Sequence, residues 1–476
     1  MRRYMEMAEP ESGRLRRINR PMANKQGREP YKRLIVFTEV IILLAVHTVL
    51  FALLWNKLYK GSIELPFFRR GNWAMIAIYP ILMLLIGKIF GIFRMAVART
   101  VDMFFSHIAM LFVVNLLMYF ELLLLIRSSY PSIAPLLIIF LIECAYTTLW
   151  IFLVKILNNH IYPPHDMVLI YGDYSPDDII KSMNQRDDRY HIRASVNINE
   201  GMNKIIAVIE EHEAVVISDL PATERNDVVK YCYAEGKQLY MLPKITDIII
   251  RSSEELHVFD SPVLLNKNFG LTFDQRMIKR TLDLLVSGLM ILLFGWLMII
   301  IAILIKLDDH GPVFYRQERL TRDGKVFRII KFRSMKVDAE KLGPQLSKKE
   351  DDRVTRVGRV IRMLHMDELP QLFNVFGGSM SMVGPRPERP EIMKQYKENV
   401  PEFYYRLKVK GGLTGYAQVY GKYNTTPYNK LRMDLIYIQN YSLWLDLKII
   451  VQTVKILFEK ENTEGVDQDQ TTALKK

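Results

Sequence analysis

Four long apolar runs stand in the first third of the chain, and they decide what it can fold into. Residues 34–55 read LIVFTEVIILLAVHTVLFALLW and residues 73–93 read WAMIAIYPILMLLIGKIFGIF. Residues 103–126 and 133–157 are similarly apolar. Each approaches or exceeds the roughly 20 residues a helix needs to cross about 30 Å of hydrocarbon. No small-residue cleavage site follows the first run, so it reads as an anchor and not as a secretory signal. An N-terminal four-helix transmembrane bundle is therefore expected over 34–158. Glu39, Lys88, Glu121 and Glu143 fall inside these runs. A charge there is a functional-site candidate by default; a place near a helix end or inside the bundle is the structural alternative.

Composition narrows the class further. Half of the 476 residues are hydrophobic, yet Lys and Arg (64) outnumber Asp and Glu (51) for a net charge of +13. So apolar a chain cannot stay solvated and disordered. Two cysteines exclude a disulfide-stapled secreted fold and fit a reducing compartment. The nine histidines are scattered, without zinc-like spacing. Residues 1–33 form a basic arm with ten Lys/Arg and four Asp/Glu, and the loop at 94–102 adds Arg94 and Arg99. The positive-inside rule puts both in the cytoplasm, although Lys57, Lys60, Arg69 and Arg70 in the 56–72 loop weaken the asymmetry. Four crossings return the chain to its starting side.

Residues 160–265 alternate strand and helix signals, at 167–183, 214–220, 225–236 and 238–243, which argues a parallel α/β sheet. The dinucleotide fingerprint needs three glycines, and only Gly172 follows the first strand, with acidic residues where phosphates would sit. The expectation is a degenerate Rossmann-like domain with a structural or regulatory role.

Residues 282–305, LDLLVSGLMILLFGWLMIIIAILI, form another long apolar run. Arg276, Lys279 and Arg280 precede it, and nine Lys/Arg against four Asp/Glu follow over 306–336. Basic flanks on both sides favour a re-entrant helix that dips into one leaflet and returns. An ordinary fifth crossing is the other reading.

The last 170 residues carry the chemistry. Residues 311–335 hold two β-type runs around Asp323-Gly324, a hairpin signal. There Arg316, Arg319, Arg328, Lys331 and Arg333 alternate with apolar residues, so that one face would offer several cations to phosphates. Anionic lipid is the alternative partner, and nucleic acid is not expected beside a membrane anchor. Asp367-Glu368 then precede Leu369-Pro370 and an apolar helical spacing. Proline belongs in a first helical turn, so Asp367 is expected at or near an N-cap. It is either a plain cap or a carboxylate kept ionised by the helix end, with Glu368 as acid/base or magnesium ligand and Arg362 near enough to bind a phosphate. Arg386 stands between Pro385 and Pro387 in a rigid turn.

From about residue 274 to 461 the chain resembles the bacterial sugar transferase family, the monotopic phosphoglycosyl transferases that start glycan assembly on polyprenyl phosphate. The blocks are KRTLDLL, GPVFYRQER, KFRSM, DDRVTRVGRVIR, MDELPQLFNV, SMVGPRPERPE, GLTGYAQVYG and DLIYIQNYSLWLDLKIIVQTV, in that order. With the bundle and the α/β domain, the whole resembles the long form. The resemblance implies an α-rich catalytic domain over 274–461, with re-entrant helix 282–305. It implies Asp367 as nucleophile on the β-phosphorus of a UDP-sugar, with Glu368 assisting and both contacting Mg2+. It implies substrate contact by Arg362, Pro385, Arg386 and Pro387; with Arg319, Lys331 and Arg333 these form the expected substrate-binding set. The implied acceptor is undecaprenyl phosphate, at the cytoplasmic face of a bacterial inner membrane, and the implied process is exopolysaccharide, capsule or O-antigen assembly. Glucose or galactose is the expected hexose. An N-acetylated or diaminated sugar, or a non-enzymatic scaffold for polysaccharide assembly, are the alternatives. A homodimer is compatible with the resemblance.

Where the family places Ser-Pro in the re-entrant helix, this chain has Gly295-Trp296, which permits a bend without forcing one. Residues 434–458, with Leu435, Ile438, Leu445 and Ile449 at helical spacing, are expected to lie on the membrane as an amphipathic helix. Residues 462–476 read as a disordered tail.

Overall fold

The computed structural model describes residues 31–60, 69–94, 100–126, 131–161, 164–186, 189–266, 270–336, 353–421 and 425–456. The expected basic arm, except its last three residues, and the expected tail lie outside these. Contacts divide the chain into two units, residues 1–216 with 223–239, and residues 217–222 with 240–476.

In the first unit the four apolar runs are helices α1 (Lys32–Leu54), α2 (Arg69–Phe90), α3 (Thr100–Leu125) and α4 (Ala134–Ile161). A π-helical turn, Trp55–Tyr59, extends α1. All four are long and apolar enough to span a membrane. Their inward faces interlock: Leu43, Phe51, Tyr79, Met83, Met110 and Val114 are fully buried. The Phe51 and Tyr79 rings stack with centroids 4.4 Å apart. Outward residues such as Phe37, Ile41, Leu137 and Leu141 are exposed, as a lipid-facing surface requires. Glu39 and Glu143 are buried inside the bundle, whereas Lys88 is exposed.

The α/β domain has strands β1 (His165–Tyr171), β2 (Tyr190–Asn197), β3 (Ala214–Ser218) and β4 (Gln238–Met241) in the order β2-β1-β3-β4. β1 and β2 pair in parallel. Helices α5 (Asp177–Asn184), α6 (Met202–Glu211) and α7 (Ala222–Ala234) connect them. β2 and α6 escaped the sequence reading because β2, YHIRASVN, alternates too weakly to announce a strand. The carbonyl of Gly172 accepts the Asn197 side-chain amide at 2.9 Å, which ties the turn after β1 to β2.

The second unit starts earlier than expected. Helix α8 (Ile245–Arg251) buries Ile245 and Ile248 in a core with Leu431, Leu435 and Phe403. Ser252 donates to Gln439 Oε1 at 2.9 Å. Residues 245–252, assigned above to the α/β domain, therefore pack with the C-terminal chain. A two-stranded hairpin follows, β5 (Glu254–Val258) and β6 (Ser261–Leu265), exposed along both strands.

Helix α9 runs unbroken from Phe273 to Asp309, 37 residues, or about 55 Å at 1.5 Å per residue. Gly295-Trp296 lies within it. One face is buried, with Lys279, Asp283, Ser287, Met298, Ile301 and Ile305. The other exposes Leu285, Leu289, Leu292, Trp296, Ile299 and Ile303. Both ends of the buried face pack on the same domain. Strands β7 (Phe314–Leu320) and β8 (Val326–Phe332) form the antiparallel hairpin the sequence indicated, turning through positive φ at Asp323 (60°) and Gly324 (73°). Helices α10 (Arg356–Met363) and α11 (Gln371–Phe376), strand β9 (Ser381–Val383), helix α12 (Pro390–Asn399), strand β10 (Gly412–Thr414) and helices α13 (Tyr416–Tyr420), α14 (Pro427–Gln439) and α15 (Leu443–Ile456) complete the unit. The segment expected to lie on the membrane faces inward instead. Leu435, Ile438 and Ile449 are core residues and Leu445 packs against them, because α14 and α15 close over β9 and β10.

Candidate active site

The hairpin divides its cations between two faces. Register pairs Tyr315 with Lys331 and Arg319 with Phe327, whereas Arg316 faces Ile330 and Arg328 faces Glu318. Side chains alternate along a strand, so Arg319 and Lys331 share the half-buried face, and Arg316 and Arg328 share the exposed one. The expectation of one cationic face is corrected accordingly. Arg333 lies past the strand with its side chain 6% exposed. Its guanidinium pairs with Asp309 and donates from Nε to the Pro312 carbonyl at 2.7 Å. It fastens the end of α9 to the hairpin, apart from the other expected site residues.

Asp367 does not cap a helix. It sits in a 3-10 turn, Met366–Glu368, entered through His365 at φ 54°. The N-cap of α11 is Pro370, and no side chain caps it. Nor does the helix end keep Asp367 acidic. Burial first, and then the adjacent Glu368, push its carboxyl above the ordinary aspartate range, against Lys331, Arg362 and His365. No hydrogen bond or ion pair among the described residues engages it.

Its neighbour Glu368 is clamped. Lys331 donates to Oε1 at 2.6 Å and Arg386 Nη2 to the same oxygen at 2.6 Å. Arg386 Nη1 stands 3.5 Å from Oε2. Burial works to raise this carboxyl, but Arg386 and Lys331 hold it well below the carboxylate range. The dyad is thus split by its surroundings: one carboxylate is locked ionised among cations, the other is unengaged and more basic. Arg362, in the last turn of α10, adds positive charge at Asp367. Exposed apolar side chains flank the dyad, Val360, Met363 and Leu364 on one side, Phe373 and Phe376 on the other.

The turn carrying Arg386 is fixed from below. Gly384 has no room for a side chain against the Lys410 carbonyl and Gly412, so the Pro385-Arg386-Pro387 turn lies directly on the 410–412 loop. Pro385 and Pro387 are buried while the Arg386 side chain is 41% exposed. Arg319 Nη1 donates to the Pro387 carbonyl at 3.2 Å. Burial first, with Arg386 and Arg389 adding to it, pulls Arg319 down to about 10, against Glu388. Arg319 thus supports the turn from beneath.

Glu388 pairs with Lys430 and Arg406, and Arg406 with Asp434 at 2.8 Å. Despite burial, the cations hold Glu388 at about 2. Ahead of the turn, Asp283 of α9 accepts from Ser381 Oγ at 2.9 Å and from the Met382 backbone N–H at 2.8 Å. Lys279 donates to Asp446 at 2.6 Å and to Tyr437 at 2.9 Å. Asp434 and Asp446 are both buried ion-pair partners. Asp283 and Glu388 stood inside two recognised blocks, KRTLDLL and SMVGPRPERPE, which was the available signal.

The metal expectation meets a constraint. Among the described residues no group of three or more His, Cys, Asp or Glu could hold an ion. Both oxygens of Glu368 face cationic donors. Mg2+ is usually held by one or two carboxylates plus substrate phosphates, and Asp367 is the carboxylate here with free oxygens. The residues fit an ion completed by substrate oxygens.

Should Asp367 serve as the nucleophile expected from the sequence, it works ionised, so kcat/KM should show an acid limb, falling as pH drops through its raised pKa. Glu368→Gln removes the like charge, so the limb should move to lower pH while the rate falls. A pH profile whose limb stays put or moves upward would contradict this coupling.

Residues 274–460 match the bacterial sugar transferase family. A UDP-N-acetylgalactosamine-undecaprenyl-phosphate N-acetylgalactosaminephosphotransferase of Aeromonas hydrophila is 44% identical over 183 residues, 38% of this chain and 43% of that protein. A UDP-glucose:undecaprenyl-phosphate glucose-1-phosphate transferase of Caulobacter vibrioides is 41% identical over 191 residues, 39% of this chain and 71% of its own length. A galactosyl transferase of Streptococcus agalactiae is 36% identical over 191 residues, 38% of this chain and 42% of that protein. The match thus spans under half of the Aeromonas and Streptococcus proteins. With a family match over the whole site and most of the Caulobacter protein covered, the chain belongs to the bacterial sugar transferase family.

Proposed function

We propose that the protein transfers a hexose-1-phosphate, glucose or galactose, from a UDP-sugar to undecaprenyl phosphate, the first membrane step of a surface polysaccharide. The observation that carries this is the divided dyad: an unengaged Asp367 beside a Glu368 held by Lys331 and Arg386. An Asp367 oxygen attacks the β-phosphorus, and the bond from that phosphorus to the bridging oxygen breaks. UMP leaves with the electron pair, and a sugar-phosphoryl-aspartate remains. A phosphate oxygen of the lipid then attacks the same phosphorus and releases the Asp367 carboxylate. No proton transfer to the leaving group is needed, because UMP departs as a stable phosphate anion. Covalent catalysis of this kind divides one hard displacement into two. Arg386 and Arg362 place positive charge where the diphosphate would lie. Mg2+, when bound, neutralises diphosphate charge, and Asp367 is the residue placed to hold it.

The lipid substrate sets the topology. We read α9 as a helix lying in one leaflet, with both ends on the cytoplasmic side of a bacterial inner membrane. Three features support this. Arg280, near its start, donates to the carbonyls of Val375 and Phe376 at 2.7 Å each. Asp308, near its end, accepts from Val357 N at 3.3 Å. The apolar face between them stays open. Single cysteines near residues 280 and 310 should label from the same side of sealed vesicles; labelling from opposite sides would make α9 a fifth crossing.

The relatives differ in the sugar their names carry: glucose, galactose and N-acetylgalactosamine. UMP release from a panel of UDP-sugars, with undecaprenyl phosphate and Mg2+, tests reaction and sugar together. No release from any of them would reject the reaction. Release only from N-acetylated donors would keep the reaction and replace the hexose.

A further inference from the structure

Six buried polar atoms of the transmembrane bundle have no hydrogen-bond partner among the described residues: Glu39 Oε2, His107 Nε2, Asn115 Oδ1, Tyr146 OH, Trp150 Nε1 and Asn158 Oδ1. Buried polar groups are normally paired, with protein or with water. Such a concentration inside one apolar bundle calls for an occupant.

The chemistry of these atoms says which. His47 and His107 each direct Nδ1 to the carbonyl four residues back, Leu43 at 2.8 Å and Met103 at 2.7 Å. A carbonyl only accepts, so Nδ1 carries the hydrogen and Nε2 of the neutral ring is an acceptor. His47 Nε2 takes the Thr147 hydroxyl at 3.1 Å; that of His107 is unpaired. Glu39 accepts from Asn158 Nδ2 at 3.1 Å through one oxygen only. Fully buried Glu143 accepts from Tyr79 OH at 2.5 Å and from Asn115 Nδ2 at 2.9 Å. Four of the six orphan atoms are acceptors, and the partners of both glutamates are neutral. Lys155 donates to Thr100 and Lys88 is exposed.

A carboxylate in such surroundings requires a proton or a counter-ion. A metal ion would need several oxygen ligands. Among the described residues no group of three His, Cys, Asp or Glu offers them, and helix carbonyls are already bonded. Protons and the water that carries them fit.

The positions form a column closed at one end. Asn158 and Glu143 both face inward on α4, about 22 Å apart along its axis, against a hydrocarbon thickness of about 30 Å. Glu39, His107 and His47 line the way. Beyond Glu143 the interior is apolar, with Phe51, Trp55, Leu122 and Leu136 buried. We propose that the bundle contains an internal proton-binding site, with Glu143 as terminal acceptor, reached by water from the Glu39–Asn158 end and sealed at the other. A proton carried by water bonds to a Glu143 oxygen and leaves a neutral acid. Rotation of the Asn115 amide then presents its unpaired Oδ1 to the new O–H. The groups facing Glu143 are Tyr79 on α2, Asn115 on α3 and its neighbour Cys144 on α4; His47 of α1, bonded to Thr147, stands one turn along α4, and Glu39 of α1 lies at the far end with Asn158.

Infrared spectra of the full chain in lipid nanodiscs test this. A component of the carboxylic-acid carbonyl band should grow as the medium is acidified and be missing from Glu143→Gln. Tyr79→Phe, which keeps the ring stacked on Phe51, should shift that component without removing it. In sealed vesicles it should follow the pH on the side of the Glu39 end and ignore the opposite side. A spectrum from which Glu143→Gln removes no component, or a Glu143 component that never titrates or that answers to the opposite side, would overturn the proposal.

Discussion

Asp367→Asn is expected to abolish UMP release and the covalent sugar-phosphoryl adduct together. The substitution keeps size and shape, so the 3-10 turn and the Glu368 clamp should persist. What disappears is the anionic oxygen that forms the new bond. Removing a nucleophile from a covalent mechanism typically costs a thousand-fold or more, roughly. The measurement is single-turnover UMP release, with intact-protein mass spectrometry for the adduct. Activity within a factor of roughly ten of the parent would exclude Asp367 as nucleophile, because that residual rate is too high for catalysis by binding alone. Retained UDP-sugar binding would separate lost chemistry from lost folding.

Asp446→Ala should produce the largest loss of stability. Lys279 and Asp446 meet at 2.6 Å with side chains 7% and 1% exposed. Breaking a buried pair strands the remaining charge, at about 3–5 kcal/mol. Thermal unfolding in detergent should therefore show a large drop in midpoint. The double replacement Lys279→Met with Asp446→Leu should recover much of it, since two apolar groups leave no charge behind. The single variant should also lose turnover, because Tyr437 contacts both Asp446 and the β9 carbonyl of Val383. A single variant as stable as the parent would show the pair to be incidental.

Local features were legible in the sequence. The apolar runs became helices, the Asp323-Gly324 turn became a hairpin, and the dyad and the Pro-Arg-Pro turn met at one place. Pairings between distant residues were not. Lys279 and Asp446 stand 167 positions apart, and nothing local distinguishes Asp446 from a surface carboxylate. The same holds for Asp434 beneath Arg406. Arg333 looked like its neighbours Lys331 and Arg328, but it lies past the end of β8, where its guanidinium meets Asp309. The cap assigned to Asp367 was a sound local inference from Pro370. It failed because His365 adopts a left-handed conformation and inserts a separate turn before the helix, and proline at the start of a helix does not reveal what precedes it.

The two faces of α9 carry different duties. Its buried face supplies Asp283 and Lys279 to the floor beneath the Arg386 turn, while its other face exposes a continuous apolar surface. One helix thus ties the support of the Arg386 turn to a surface suited to lipid.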